Sequence, residues 1–197
     1  MYPVITISRE FGSGGHSIGE KVAAKLGIPF YDGEIVTRVA EESGYAKELI
    51  EEQGEYSTSA NKWFDISAAS AMYFQSPQDE IFIAQKRVIL DCAAKGPCVI
   101  VGRCADYILR ERKDVLNIFI YADMESKMER AVTYFGLEKE NVSAILKKKD
   151  KARSNHYKYY TDQEWGMASN YDLSLNSGIL GIDGCVEMIE KALTIAK

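Results

Sequence analysis

The feature of this sequence best suited to chemistry is a glycine-rich turn between an apolar run and a helical run. Residues 5–19 read I-T-I-S-R-E-F-G-S-G-G-H-S-I-G. Glycines let successive main-chain N–H groups point to one side, and the N-terminus of the following helix adds a partial positive charge. This arrangement is typical of a phosphate site. The residues predicted to bind phosphate are Arg9, Gly12, Ser13, Gly14, Gly15, His16 and Ser17.

The turn departs at two positions from the P-loop pattern G-x-x-x-x-G-K-[ST], or its variant with one more residue before the Thr. Superimposed without gaps, the pattern places Arg9 at the first glycine and Gly15 at the lysine. Arg9 or His16 is then the candidate source of the missing positive charge. Ser17 either holds Mg²⁺ through its hydroxyl or caps the helix, a position that favours serine.

Charged residues elsewhere are candidates for binding a second anionic group. Asp32 follows a short apolar run, and Arg103 follows a buried one. A guanidinium at a rigid strand end can hold a phosphate or carboxylate by two parallel hydrogen bonds, although Arg103 can also be a surface residue leaving the sheet. The basic run at 147–153 is either a solvated helix face or a cationic segment that neutralises charge during phosphoryl transfer. The candidate catalytic cations are Arg130, Lys149 and Arg153. The alternative for Arg130 is a purely structural role.

Strands that alternate with helices of ten or more residues predict an α/β fold with a doubly wound parallel sheet. Ligands of such sheets bind beyond the carboxyl ends of the strands, where the turn at 9–17 and Arg103 lie. Residues 41–75 are acidic and aromatic, and we predict a helical insertion there. The predicted strands are 3–8, 28–31, 98–101, 115–121 and 171–175, and the predicted helices are 17–26, a segment from 33, 81–94, 123–135, 138–154 and 183–196.

Composition bounds the function. The 197 residues are 46% hydrophobic, enough for one core, so we expect one domain with a mobile appendage. The net charge of −5 argues against general affinity for nucleic acid or an anionic membrane. No apolar run approaches the roughly 20 residues that span a bilayer, and without a signal-peptide pattern we expect a cytoplasmic protein. Four cysteines with no C-x-x-C pair predict buried, reduced thiols.

Five segments, taken in order, resemble the cytidylate-kinase-like family, a branch of the nucleoside monophosphate kinases with the P-loop fold. They are the run at 5–19, F-Y-D at 30–32, V-I-V-G-R at 99–103, F-I-Y-A-D at 119–123 and Y-D-L-S-L-N-S at 171–177. The resemblance implies a single domain, a five-stranded sheet of order 2-3-1-4-5, an acceptor-binding insertion at 33–75 and a lid at 147–160. It also implies that Gly12 to Ser17 bind the donor phosphates, Asp32 and Arg103 the acceptor nucleotide, and Arg130, Lys149 and Arg153 the transferring group.

The hypothesis that follows from the resemblance is phosphoryl transfer from ATP, with Mg²⁺, to a nucleoside monophosphate, CMP or dCMP first. Two positions depart from typical cytidylate kinases: Gly15 replaces the lysine, and Cys104 follows Gly-Arg where those enzymes commonly carry an Asp that helps read cytosine. Loss of the lysine favours the alternative, a non-catalytic nucleotide- or phosphate-binding regulatory module on the same fold. A dinucleotide oxidoreductase is disfavoured because no G-x-G-x-x-G follows the first strand.

Overall fold

The centre of the molecule is a parallel sheet of five strands in the order β2-β3-β1-β4-β5. The computed structural model describes residues 4–50 and 76–195. The order confirms the doubly wound α/β fold and the topology implied by the resemblance. The strands are β1 (Val4–Arg9), β2 (Phe30–Tyr31), β3 (Val99–Val101), β4 (Val115–Tyr121) and β5 (Leu173–Asn176).

Helices link successive strands and cover both faces of the sheet. Within the described residues they are α1 (Gly15–Leu26), α2 (Gly33–Ser43), α3 (Pro77–Ala94), α4 (Ala105–Ile108), α5 (Met124–Phe135), α6 (Val142–Thr161) and α7 (Ser177–Ile195), with a 3₁₀ turn at Ala168–Asn170. One core lies between the sheet and the pair α1 and α7, and a second lies between the sheet and α2, α3 and α4. A smaller cluster joins α5 to α6.

β1 is apolar because it is the middle strand and is buried on both faces. Ile5 and Ile7 pack into the core with α1 and α7, whereas Val4 packs into the core with α2 and α3. β1 pairs with β3 on one side and with β4 on the other. The strand order reverses at β1, so its carboxyl end is the point of such a sheet where ligands bind. The glycine-rich turn follows directly from that end.

Three helices differ from their predicted bounds by four or more residues at an end, and α1 begins two residues earlier than predicted. α3 begins at Pro77 rather than at 81, because Ser76 caps it by accepting the Asp79 N–H and proline suits the first turn. α6 starts later than predicted and continues to Thr161 rather than ending at 154, since its last turns carry buried side chains. α7 begins at 177 rather than 183 and is broken at Gly181, where φ is 68°.

The predicted acceptor-binding insertion at 33–75 begins with α2, and its part at 51–75 lies outside the described residues. All four cysteines are free and buried, as predicted. Across residues 4–50 and 76–195, every helix is too short or too polar to cross a bilayer.

Candidate active site

The loop between β1 and α1 has a main-chain conformation suited to an anion. Gly12 and Gly14 have φ angles of 79° and 81°, which residues with a Cβ atom rarely adopt. A side chain at Gly14 would also collide with Ile182. Because α1 begins at Gly15, the N–H groups of its first turn have no carbonyl partner within the helix. These amides and the positive end of the helix dipole face the same space.

Arg9, the last residue of β1, lies directly against Gly15. A Cβ atom built on Gly15 would be 2.5 Å from Cβ and 2.8 Å from Cγ of Arg9. A real side chain cannot occupy that position while the Arg9 side chain crosses it. Arginine at position 9 and lysine at position 15 therefore exclude each other in this geometry. Relative to the P-loop pattern, the chain has exchanged the two residue types between the two ends of the loop.

A cavity of about 730 Å³ opens in front of the loop. The end of β1, the loop and the first turns of α1 form one wall, and α5 with α6 forms another. Nine of the twelve predicted site residues line it, whereas Ser13, Arg103 and Lys149 do not. The described lining residues are Arg9, Glu10, Phe11, Gly12, Gly14, Gly15, His16, Ser17, Lys21, Asp32, Glu129, Arg130, Thr133, Tyr134, Phe135, Arg153 and Ile182.

His16 and Asp32 form a pair on the wall of this cavity. Nδ1 of His16 lies 2.6 Å from Oδ2 of Asp32. The hydrogen bond to Asp32 raises the pKa of His16 above its ordinary 6.5, against the opposing effects of partial burial and of the Arg9 charge. A protonated His16 adds positive charge beside the loop, and the pair joins the start of α1 to the start of α2.

A buried lysine supports the loop from behind. Lys127 of α5 is 5% exposed, and its Nζ lies 3.0 Å from Oε2 of Glu10 and 2.9 Å from Oδ2 of Asp150. The other carboxylate oxygen of Asp150 accepts the Phe11 N–H at 2.7 Å. Burial alone would lower the pKa of Lys127, but the two carboxylates outweigh burial and raise it. This network fixes the first half of the loop to α5 and α6.

Lys149 and Arg153 of α6 contact the tip of the loop. The Nζ atom of Lys149 is 4.7 Å from the centroid of the Phe11 ring, and the guanidinium carbon of Arg153 is 5.7 Å from it. Nη1 of Arg153 also donates to the Arg9 carbonyl at 3.1 Å. The segment 147–160 thus lies against the loop, and Arg153 is the cation of this pair that reaches the cavity.

Arg130 of α5 braces the loop against the junction of β5 and α7. Its Nη2 donates to the Ser177 carbonyl at 2.7 Å, and its Nη1 donates to Oγ of Ser177 at 3.1 Å. Oγ of Ser177 donates in turn to the Ser13 carbonyl at 2.6 Å. Ser13 is fully buried and its hydroxyl donates to the Glu10 carbonyl, so the Ser13 side chain shapes the loop. Arg130 lines the cavity while holding this junction.

Arg103 lies at the carboxyl end of β3 in a separate, buried environment. It has a φ of 57° and is 7% exposed. Within the described part of the chain, no acceptor pairs with its Nε or Nη1. Cys104 is also buried and lies at the start of α4. Burial raises the pKa of the nearby Asp106, although Tyr157 donates a 2.7 Å hydrogen bond to its carboxylate.

Comparison with known proteins fits this architecture. The sequence profile of the cytidylate kinase-like family matches residues 4–179. The chain belongs to this family. It is 25% identical over 197 residues to the cytidylate kinase of Archaeoglobus fulgidus. The alignment covers 98% of this chain and 96% of that protein.

Solved structures share the fold of this family member. An uncharacterized protein from Eubacterium ventriosum superimposes with a TM-score of 0.74 at 27% identity, covering 98% of each chain. Shikimate kinase from Bacteroides thetaiotaomicron superimposes with a TM-score of 0.59 at 14% identity, again over 98% of each chain. At 14% identity, the similarity to shikimate kinase concerns the fold alone.

Ser17 is the residue predicted to hold Mg²⁺ in this member of the cytidylate kinase-like family, and it lines the cavity. Ser17 lies in the first turn of α1 and lines the cavity together with Glu10, Asp32 and Glu129. In the part of the chain that is described, no three His, Cys, Asp or Glu side chains gather to enclose a metal. A serine hydroxyl is a hard oxygen ligand of the kind that Mg²⁺ accepts while it keeps phosphates and water in the rest of its shell.

Sequence reasoning did not single out the supporting network of Lys127, Glu10 and Asp150. Asp150 carried a signal, since it is the one acidic residue within the basic run at 147–153. Glu10 and Lys127 carried none, because their contact joins residues 117 positions apart. In this cytidylate kinase-like protein the loop is therefore held by residues that its motif does not contain.

Proposed function

We propose that this protein is a cytoplasmic nucleotide kinase that transfers the γ-phosphoryl group of ATP to a nucleoside monophosphate, with CMP or dCMP as the first acceptors to test. The bond between the γ-phosphorus and the β–γ bridging oxygen breaks, and a bond forms to an oxygen of the acceptor phosphate. The products are ADP and a nucleoside diphosphate. Membership of the cytidylate kinase-like family supports this reaction, and the similarity to a cytidylate kinase supports the choice of acceptor.

The observation that carries the proposal is the contact between Arg9 and Gly15. The stem of Arg9 passes within 2.5 Å of the point where a side chain at position 15 would begin. A cation therefore enters the loop from the end of β1 instead of from α1. The alternative of a non-catalytic binding module depended on the missing lysine, and the exchange weakens that argument because the loop keeps a guanidinium.

The donor nucleotide occupies the 730 Å³ cavity in this proposal. Main-chain amides of residues 12–17 and the Arg9 guanidinium bind its phosphates, and a protonated His16 adds charge beside them. Ser17 holds Mg²⁺, which neutralises phosphate charge when bound. The exposed rings of Tyr134 and Phe135 offer an apolar surface to the adenine base.

In this proposal the acceptor nucleotide lies next to the donor cavity, near Asp32 and Arg103 and near α2, where the predicted insertion begins. Arg103 binds the acceptor phosphate by paired hydrogen bonds, which its Nε and Nη1 can donate because neither has a partner within residues 4–50 and 76–195. Arg130, Lys149 and Arg153 supply positive charge to the transferring group, the last two from the lid segment 147–160. Such a site accelerates transfer by positioning and charge neutralisation.

The test is acceptor-dependent release of ADP from ATP and Mg²⁺ with CMP, dCMP, UMP, AMP and GMP in turn. ADP release with CMP or dCMP is the expected result, and Arg103→Ala should then raise the KM for the acceptor while leaving the KM for ATP close to its original value. ATP binding without ADP release from any acceptor contradicts the proposal and favours the regulatory module. An unchanged acceptor KM in Arg103→Ala would remove Arg103 from the acceptor site.

A further inference from the structure

Buried polar atoms without a partner among the described residues also occur outside the glycine-rich loop, on α3 and in the turn that precedes α4. Gln85 of α3 is fully buried, and neither its Nε2 nor its Oε1 has a hydrogen-bond partner among the described residues. Within the same ranges, Nε2 of Gln78 and two guanidinium nitrogens of Arg103 also have none. Buried polar groups in native proteins are nearly always paired, so this concentration indicates a missing ligand.

Contacts between neighbouring side chains connect the three elements on which or next to which these groups lie. Phe82 lies one turn before Gln85 on α3 and stacks on Tyr160 of α6, with ring centroids 3.8 Å apart and planes 7° apart. On the same helix α6, Tyr157 donates to Asp106 at 2.7 Å. Asp106 belongs to α4, which follows Arg103 directly. Helix α6 therefore bridges the Gln85 side of α3 and the turn that carries Arg103.

The position in the fold suits a ligand. α3 returns across the sheet before β3, so its N-terminal half, which ends near Gln85, lies toward the carboxyl ends of the strands. Arg103 stands at the carboxyl end of β3 itself. Ligands of doubly wound sheets bind beyond this edge.

The chemistry of the Gln85 side chain suggests the ligand. A carboxamide presents one donor and one acceptor side by side, which matches a nucleobase edge such as N4–H and N3 of cytosine. We propose that Gln85 is a specificity-determining residue that pairs with the base of the acceptor nucleotide by two hydrogen bonds. The inference deepens the proposed function and rests on it for the presence of a nucleotide acceptor. The substrate class is a nucleoside monophosphate whose base places a donor beside an acceptor, and UMP is included because a rotated carboxamide matches uracil.

Gln85→Met tests the inference, because it keeps the side-chain length and removes both polar atoms. The probes are CMP, UMP and ribose 5-phosphate, which has the phosphate but no base, titrated into the full chain by calorimetry. We expect affinity for the preferred nucleotide to fall on the order of tenfold to a hundredfold, while affinity for ribose 5-phosphate stays the same. The Tm should stay equal or rise, since an unpaired polar group gives way to an apolar one of similar shape.

Lys86→Met is the matched control, because Lys86 is the exposed neighbour on α3. Unchanged nucleotide affinity in Gln85→Met, or equal loss for the nucleotide and for ribose 5-phosphate, overturns the inference. A lower Tm with loss of both ligands also overturns it, since that pattern belongs to a structural glutamine. If Gln85→Met does not fold, Gln85→Leu, which also removes both polar atoms and adds no charge, must show the same selective loss.

Titration of ADP with Mg²⁺ separates this inference from the proposed function. If the protein binds ADP but binds neither CMP nor UMP more tightly than ribose 5-phosphate, the base contact is overturned while the donor site stands. If neither ADP nor any nucleoside monophosphate binds, the proposed function falls together with the inference.

Discussion

Arg9→Gly and Gly15→Lys, made singly and together, test whether the cation of the phosphate loop has moved from α1 to the end of β1. The single change at position 9 removes the arginine whose Cβ and Cγ atoms lie against Gly15 and which lines the cavity. The single change at position 15 adds a side chain where the Arg9 stem already lies. The double variant restores the P-loop arrangement of glycine first and lysine last.

The magnitudes follow from these contacts. A charged hydrogen bond to phosphate contributes about 1.5–3 kcal/mol, so Arg9→Gly should lower kcat/KM for ATP about 10- to 150-fold. Gly15→Lys places its Cβ 2.5 Å from that of Arg9. Overpacking of this kind costs roughly 1–3 kcal/mol, which should appear as a lower Tm and weaker ATP binding. In the double variant the collision is gone and a lysine is present. Its loss should therefore be smaller than the sum of the two single-variant losses by about 1–3 kcal/mol.

The assay is ADP release with saturating acceptor, together with calorimetric titration of ADP and Mg²⁺, which needs no turnover. Lys21→Met is the matched control, because Lys21 also lines the cavity but is half exposed and bonded to Asp183 at 2.6 Å. It should change neither quantity by more than about threefold. Wild-type kinetics and ADP affinity in Arg9→Gly would refute the reasoning, as would a double variant whose loss equals the sum of the two single losses.

Three further predictions concern the surroundings of the site. Lys127→Met leaves two partly buried carboxylates without their cation and should lower the free energy of unfolding by about 3 kcal/mol in chemical denaturation; an unchanged midpoint would contradict the network. The pKa of His16 should exceed 6.5 in an NMR titration and fall in Asp32→Asn. The bond then stabilises the fold fully below pH 6.5, and this contribution disappears as the pH rises through the raised pKa. Burial raises the pKa of the Cys98 thiol to about 12, so Cys98 should react with a thiol reagent only after unfolding, and fast labelling of the native protein would disprove this.

The fold could be predicted where the sequence pattern is local. The run at 115–121 has the bounds of β4, because a buried parallel strand is a continuous apolar segment. The next helix was predicted to begin at 123, and the Asp123 carboxylate caps it there by accepting the Ser126 N–H at 2.8 Å. Both features depend on neighbours within a few residues. The strand order came from the resemblance to a family, since pairing of distant strands leaves no local mark.

The position of the candidate site could be predicted from the sequence, whereas most of the side-chain contacts that support it could not. The glycine-rich turn predicts an anion site because the residues that form it are adjacent in the chain. Gln85 could not be singled out from the sequence, because a glutamine in an amphipathic helix resembles any other polar residue until its burial is known. Lys127 was hidden for the same reason, since lysines are mostly exposed and this one is 5% exposed.

The contact between Arg9 and Gly15 explains why the missing lysine, taken alone, does not establish that the loop lacks a cation. A motif records which position carries the charge, whereas a phosphate responds to where the charge lies in space. Positions 9 and 15 are six residues apart in the chain, yet their side-chain positions nearly coincide because the loop folds back on the strand that precedes it. The glycine and the cation have to change places together, since either change alone produces a collision or a loop with neither the arginine nor the lysine. A search for relatives of this protein should therefore seek the pair, glycine and cation at opposite ends of the loop in either order, and not the lysine alone.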